Sequence, residues 1–256
     1  MAKRLFDIVA ALAALLALSP VLLLAALGIR ASSRGPVLYR TSRAGKDGRP
    51  FTMHKFRTMV HSGGPGSASA ITCANDRRVF WFGRILRRLK IDELPQLIDV
   101  LRGAMTIVGP RPEDLRIVHD HYAPEHWETL RVRPGLASPG SIYSYTHGER
   151  LIGSEHPERD YLLKLLPLKL ALDRFYVGNA DMIFDFRLIV RTLWVMVQIG
   201  LGRRDFPEPS ELGRIEHVVP ARLAGDSDAL SLVSASPEYS SDGGTTVVSL
   251  DLKRAA

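Results

Sequence analysis

Between Ile8 and Ile29 the chain reads IVAALAALLALSPVLLLAALGI, an apolar run with no charged side chain, preceded by Lys3, Arg4 and Asp7 and followed by Arg30 and Arg34. At about 1.5 Å per residue, a straight helix of this length crosses a hydrocarbon core of about 30 Å. Simple spanning is therefore the first reading. Ser19-Pro20, near the middle of the run, argues for a second. Proline removes an amide donor and its ring collides with the preceding turn, so the helix is expected to bend there, while a serine hydroxyl can satisfy a nearby carbonyl. Cations at both ends also pull both ends toward the same side of a bilayer. A re-entrant hairpin satisfies both features, and the residues alone leave spanning and re-entry open. A cleaved signal peptide fits less well: its apolar region is shorter, and Ile29-Arg30-Ala31 is a poor cleavage site.

The chain of 256 residues with 46% hydrophobic content is long enough for one sizeable core. A net charge of +7 favours an anionic partner, whether nucleic acid, lipid surface or phosphorylated substrate. The single cysteine, Cys73, rules out an intrachain disulfide and suits a reducing compartment.

After Gly35-Pro36, Val37 to Arg43 and Phe51 to Arg57 read as the arms of a β-hairpin joined by the turn Lys46-Asp47-Gly48-Arg49. Arg40, Arg43, Lys55 and Arg57 project from these arms, as a solvated edge would have them. Ser62 to Ser69 reads as a loop. Phe80 to Lys90 predicts a helix with one apolar and one cationic face, suited to a membrane surface or a phosphate-rich ligand. Asp92 is placed to cap the next helix, with Pro95 in its first turn and Gly103 at its end. Val108 to Glu113 is too rich in proline for helix or central strand, and Arg131 to Gly140 reads as loop. Tyr161 to Tyr176 and Asp185 to Leu201 are expected helices. From Pro207 the composition predicts a poorly ordered tail, with a short strand at Thr245 to Leu250.

No phosphate-binding glycine loop, dinucleotide fingerprint or zinc spacing is present. What stands out is the concentration of acid, arginine and proline from Arg84 to Glu113, centred on Asp92-Glu93. Helix capping accounts for that pair without any chemistry. The chemical reading is that arginines grip phosphoryl oxygens and Mg²⁺ bridges a carboxylate to a diphosphate. Both screen the repulsion that keeps a carboxylate from attacking phosphorus.

From Lys3 to Thr192 the sequence resembles the bacterial sugar transferase family of small monotopic phosphoglycosyl transferases. The resemblance rests on ordered blocks: Lys3-Arg4-x-Phe6-Asp7, Ser19-Pro20, Gly35-Pro36 with Arg40, Arg43 and Gly45, Lys55-Phe56-Arg57-Thr58-Met59, Asp92-Glu93-Leu94-Pro95-Gln96-Leu97, and Val108-Gly109-Pro110-Arg111-Pro112. It implies an α+β, mainly helical fold with a re-entrant membrane helix over 1–34, a transferase domain over 35–206 and a tail over 207–256. A small β-hairpin and amphipathic interfacial helices would surround an active site on the cytoplasmic face of the bacterial inner membrane. It further implies Asp92 as a nucleophile attacking the β-phosphorus of a UDP-sugar, with release of UMP and transfer of the phosphosugar to polyprenyl phosphate. Glu93 would hold Mg²⁺ with Asp92 or position the acceptor. Arg111, Arg87 and, more weakly, Lys55 would bind the phosphates and nucleotide.

Three departures from the family pattern stand out. Asp99 replaces a usual Asn and adds negative charge near the site, Thr106 replaces Ser, and Pro134 to Gly140 alters a familiar Pro-Gly-x-Thr-Gly stretch, so sugar and acceptor preference do not carry over. The large N-terminal multi-span region of longer relatives is not in this sequence. The rival readings are a membrane-anchored, non-catalytic scaffold for glycosyltransferases and a nucleic-acid binder. The second is disfavoured because carboxylates, not aromatics, interleave the arginines. Homo-oligomerisation and downstream glycosyltransferase partners stay open.

Overall fold

The computed structural model describes residues 2–60, 76–153 and 155–215. The apolar run forms two helices, α1 (Ala2–Ala17) and α2 (Ser19–Ser32), bent by 61° at their junction. Pro20 lies in the first turn of α2, where its missing N–H costs nothing, and the Ser19 hydroxyl donates to the Leu16 carbonyl at 2.8 Å. Among the described residues no single helix is long and apolar enough to cross a membrane; only the bent pair together reaches that length and composition.

The remainder is mainly helical with little sheet. β1 (Leu38–Ala44) and β2 (Pro50–Phe56) pair antiparallel, with Leu38 opposite Phe56 and Ala44 opposite Pro50. Asp47 (φ 57°) and Gly48 (φ 72°) make the turn, both residue types that tolerate positive φ. There follow α3 (Trp81–Arg88), α4 (Gln96–Arg102), β3 (Thr106–Val108), α5 (Leu115–His121), β4 (Gly135–Ala137), α6 (Pro139–Leu151), α7 (Pro157–Asp160), α8 (Leu166–Asn179), α9 (Met182–Gly200) and α10 (Leu212–Ile215). β3 and β4 pair in parallel, Thr106 opposite Gly135 and Val108 opposite Ala137. A strand therefore stands in the stretch expected to be loop. These short strands are covered by α6, α8 and α9 through Val108, Ala137, Ile142, Tyr176, Leu188 and Val195.

Both ends of the bent pair are tied to this globular part. At the N-terminal foot Lys3 pairs with Asp185 and donates to the Val108 carbonyl, while Arg4 donates to the carbonyls of Val100 and Leu101 at the C-terminal end of α4. The buried Asp7 carboxylate accepts from the Thr106 hydroxyl at 2.8 Å and the Ile107 N–H at 3.0 Å. At the other foot Arg57 is no solvated edge residue. It is buried and donates to Pro36 O at 2.5 Å, Ser33 Oγ at 2.7 Å and Ser33 O at 2.8 Å. Between the feet, Ala11 packs with Met53, Leu97, Val100 and Met105, and Ala25 and Ile29 pack with Phe56, Phe80 and Leu86. Asp7→Ala leaves two donors without their acceptor, which costs about 2–4 kcal/mol in all. Denaturant unfolding in micelles is expected to show that loss, and an unchanged midpoint would mean the foot is held by other contacts.

Large apolar side chains stay exposed along one side of several helices: Leu5, Val9, Leu12 and Leu16 on α1, Leu23, Leu24 and Leu27 on α2, Trp81, Ile85 and Leu89 on and just after α3, and Ile183, Phe186, Val190, Leu193, Trp194 and Val197 on α9. In α3 the outward stripe is the apolar one, flanked by exposed Arg84 and Arg88.

Beyond Pro207 the described residues, which run to Ile215, still pack on the body. Glu211 is buried and accepts from Arg191 at 2.6 Å, and Ile215 packs in a cluster with Leu165 and Leu172. The Ser62 to Ser69 loop, Cys73 and the strand expected at Thr245 to Leu250 lie outside the described residues.

Candidate active site

Asp92 and Glu93 lie in a single 3-10 turn, Ile91–Glu93, between α3 and α4. Lys90, immediately before it, takes a left-handed conformation with φ 56°. For a residue with a Cβ this costs about 1–2 kcal/mol. The kink redirects the chain so that both carboxylates become buried, at 7% exposure each. Asp92 is not the cap of α4: that helix starts at Gln96, Pro95 takes the cap position, and no side chain caps it. Gly103 ends the helix with φ 84°, as expected.

The two acids have opposite surroundings. Glu93 receives both arms of the Arg111 guanidinium, Nη1 to Oε2 at 2.9 Å and Nη2 to Oε1, and the Tyr145 hydroxyl donates to Oε2 at 3.0 Å. Lys55 Nζ stands 3.8 Å from Oε1. Burial alone raises a carboxyl pKa, but the charges of Arg111, Lys55 and Lys90 outweigh it and hold Glu93 well below the usual carboxylate range. Asp92 Oδ1 is buried with no hydrogen-bond partner among the described residues. Burial and then the neighbouring Glu93 charge push the Asp92 pKa up, against Lys55, Lys90 and Arg87.

The cations come from four places. Lys55 belongs to β2; burial lowers it to about 8 despite the opposing pull of Glu93. Arg87 sits half-buried in the last turn of α3, where its charge acts on Asp92, whereas Arg84 and Arg88 are exposed. Arg111 lies in the proline-rich loop after β3, and burial opposed by Glu93 leaves its pKa well above the ordinary value. Lys90 Nζ lies 4.1 Å from the centre of the Tyr145 ring, close enough for a cation–π contact. Burial pushes the Lys90 pKa down against the attraction of Glu93.

The fold thus brings Asp92, Glu93, Arg111, Arg87 and Lys55 together. Ser19 and Pro20 stand apart at the bend. Two members were not legible as site residues. Tyr145 comes from α6, 52 positions after Glu93, with no local signal, and Lys90 looked like part of a cationic helix face. Asp99 adds no free charge to the site. It is 1% exposed and accepts from the His54 backbone at 2.9 Å, with its Oδ1 2.7 Å from His54 Nδ1, which ties α4 to β2.

Among the described residues no three His, Cys, Asp or Glu side chains converge on a metal position. Mg²⁺ commonly takes one or two carboxylates and completes its shell with water and substrate phosphates. The free Asp92 oxygen suits that role, whereas both Glu93 oxygens are occupied by Arg111 and Tyr145. Of the two acids, Asp92 is therefore the more open to a cation.

Comparison with known proteins makes the chain a transferase. Residues 1–199 match the model of the bacterial sugar transferase family, and the chain belongs to that family. It is 35% identical over 205 residues to the exopolysaccharide production protein PSS of Rhizobium leguminosarum bv. phaseoli, covering 78% of this chain and 97% of that protein. It is 38% identical over 196 residues to the UDP-glucose:undecaprenyl-phosphate glucose-1-phosphate transferase of Caulobacter vibrioides, covering 75% of this chain and 68% of the relative. It is also 32% identical over 204 residues to a UDP-N-acetylgalactosamine-undecaprenyl-phosphate N-acetylgalactosaminephosphotransferase of Aeromonas hydrophila, covering 79% of this chain but 45% of that longer protein.

Proposed function

We propose that this chain transfers a sugar 1-phosphate from a UDP-sugar to polyprenyl phosphate in two steps, with Asp92 as the nucleophile. The observation that carries the reading is the contrast within the dyad: Glu93 is saturated by Arg111 and Tyr145, while its neighbour keeps a buried oxygen with no partner. An acid serving only the fold would be expected to spend that oxygen on a donor.

In the first step an oxygen of the Asp92 carboxylate attacks the β-phosphorus, the bond from that phosphorus to the bridging oxygen breaks, and UMP leaves with the electron pair. In the second, an oxygen of polyprenyl phosphate attacks the same phosphorus. Asp92 is released as carboxylate and polyprenyl diphosphate sugar forms. Arg111, held rigid by Glu93, faces its remaining positive field to the diphosphate. Lys55, Lys90 and Arg87 lower the repulsion between carboxylate and phosphoryl oxygens. Mg²⁺, held by Asp92 and the donor phosphates, would supply further charge neutralisation.

The acceptor cannot leave the bilayer cheaply, so the nucleophile must sit near headgroup depth. The 61° bend, the ties at both feet and the outward apolar stripes support a re-entrant anchor, with the body resting on the cytoplasmic leaflet of the bacterial inner membrane. The relatives' names support undecaprenyl phosphate as acceptor and polysaccharide synthesis as the setting. The test is UMP release across a panel of UDP-sugars with undecaprenyl phosphate in nanodiscs. One or more donors are expected to yield UMP in a Mg²⁺-dependent reaction, and release from none would favour the scaffold reading.

A further inference from the structure

α8 places Lys169 and Asp173 one turn apart with 2% and 1% exposure. They reach the two sides of the loop that carries Arg111. Lys169 donates to Glu113 Oε2, as does the Tyr161 hydroxyl at 2.5 Å. The Gly140 N–H donates to Asp173 Oδ1 at 3.0 Å, and the Ser138 hydroxyl and the Arg111 amide also favour the charged form of Asp173. Arg111, Tyr122 and Asp173 line one small cavity between loop and helix. At Gly140 a Cβ would stand 2.6 Å from both Asp173 Oδ1 and the Lys169 carbonyl oxygen, so only glycine lets the start of α6 approach α8 this closely.

Burying ions costs several kcal/mol each unless good geometry returns it. Lys169 and Asp173 stand four positions apart on one helix, a spacing that allows a direct pair. Instead Lys169 is bonded to Glu113 in the loop that carries Arg111, and Asp173 joins the Arg111 amide to the start of α6, the helix that carries Tyr145. Arg111 and Tyr145 are the two groups that saturate Glu93.

We infer that Asp173, with Lys169 as its partner one turn earlier, is a positioning residue that sets the backbone of the Arg111 loop and the start of α6, so that Arg111 and Tyr145 meet Glu93 in one geometry. It touches no reacting atom, and its kinetic consequence rests on the function proposed above.

The experiment measures UMP release against donor concentration for the nanodisc-bound wild type, Asp173→Asn, Arg111→Ala and the double variant, together with amide hydrogen exchange over residues 108–114. Asparagine keeps the shape and one acceptor, and Glu113→Gln provides a second variant from the Lys169 side. Asp173→Asn is expected to raise the donor KM about tenfold with kcat within about threefold, and to cost no more than about twofold once Arg111 is absent, as for residues acting through one another. Exchange over the loop is expected to quicken in both single variants. A loss that multiplies with that of Arg111→Ala overturns the inference, as does wild-type exchange and KM in both Asp173→Asn and Glu113→Gln. If the wild type releases no UMP, the functional reading is what fails, and loop exchange alone then decides positioning: faster exchange supports it and unchanged exchange overturns it.

Discussion

Asp92→Asn is expected to abolish turnover, lowering the rate of UMP release by about a thousandfold or more, while leaving the protein at least as stable as the wild type. Asparagine has nearly the shape of aspartate but its amide is a poor nucleophile, so the attack on phosphorus is lost. Oδ1 of Asp92 makes no hydrogen bond among the described residues, so the substitution breaks none there. Burial and the Glu93 charge raise the Asp92 pKa, so the fold favours the neutral acid. That preference contributes stability below the ordinary carboxylate range and is lost as pH rises through the raised value. At neutral pH the wild type bears the cost of an ionised, buried carboxylate, and the asparagine variant does not. A melting temperature equal to or above that of the wild type, combined with lost UMP release, is the expected pair of results. The same raised pKa predicts that wild-type activity falls on the acid side as Asp92 takes up a proton. Full activity in Asp92→Asn would show that the carboxylate is not the nucleophile.

The second large effect falls on Arg111. Arg111→Ala is expected to reduce kcat/KM for the donor by about 10²–10³-fold, the usual cost of removing one preorganised charge from a phosphoryl-transfer site. It is also expected to destabilise the fold by about 3–5 kcal/mol, because Glu93 is left buried after losing both arms of its guanidinium partner. Arg111→Lys should recover charge without the two-pronged contact and so restore only part of either loss. Donor kinetics and denaturant unfolding read the two effects separately. Flotation with liposomes should be unchanged, since Arg111 lies in the buried network and the apolar stripes are elsewhere. Wild-type donor kinetics in Arg111→Ala would remove Arg111 from the phosphate site.

What the sequence made legible was local. The hairpin followed from the turn chemistry of Lys46-Asp47-Gly48-Arg49 between two arms, and its register ends where those residues turn. The bend followed from the chemistry of Ser19-Pro20, and α3, α4 and α9 followed from periodicity and stop signals. Pairings between distant segments were not legible. β3 and β4 are three residues each, too short to show alternation, and join segments 29 positions apart at Thr106 and Gly135. The capping account of Asp92 failed because the left-handed Lys90 inserts a separate turn, a conformation that no residue type announces when the residue is lysine. Asp99 looked like an excess charge because its partner, His54, is 45 positions earlier. At the C-terminal end, composition alone gave no hint that Glu211 would find Arg191 and hold Ile215 against α8.

The most direct measurement omits the acceptor. Purified protein mixed with a UDP-sugar and Mg²⁺, then quenched and digested, is analysed by mass spectrometry alongside the UMP released. A peptide containing Asp92 is expected to be heavier by one sugar phosphate, formed in step with one UMP per protein and discharged when polyprenyl phosphate is added. Absence of any adduct, with UMP appearing only when donor and acceptor are present together, would contradict the two-step mechanism.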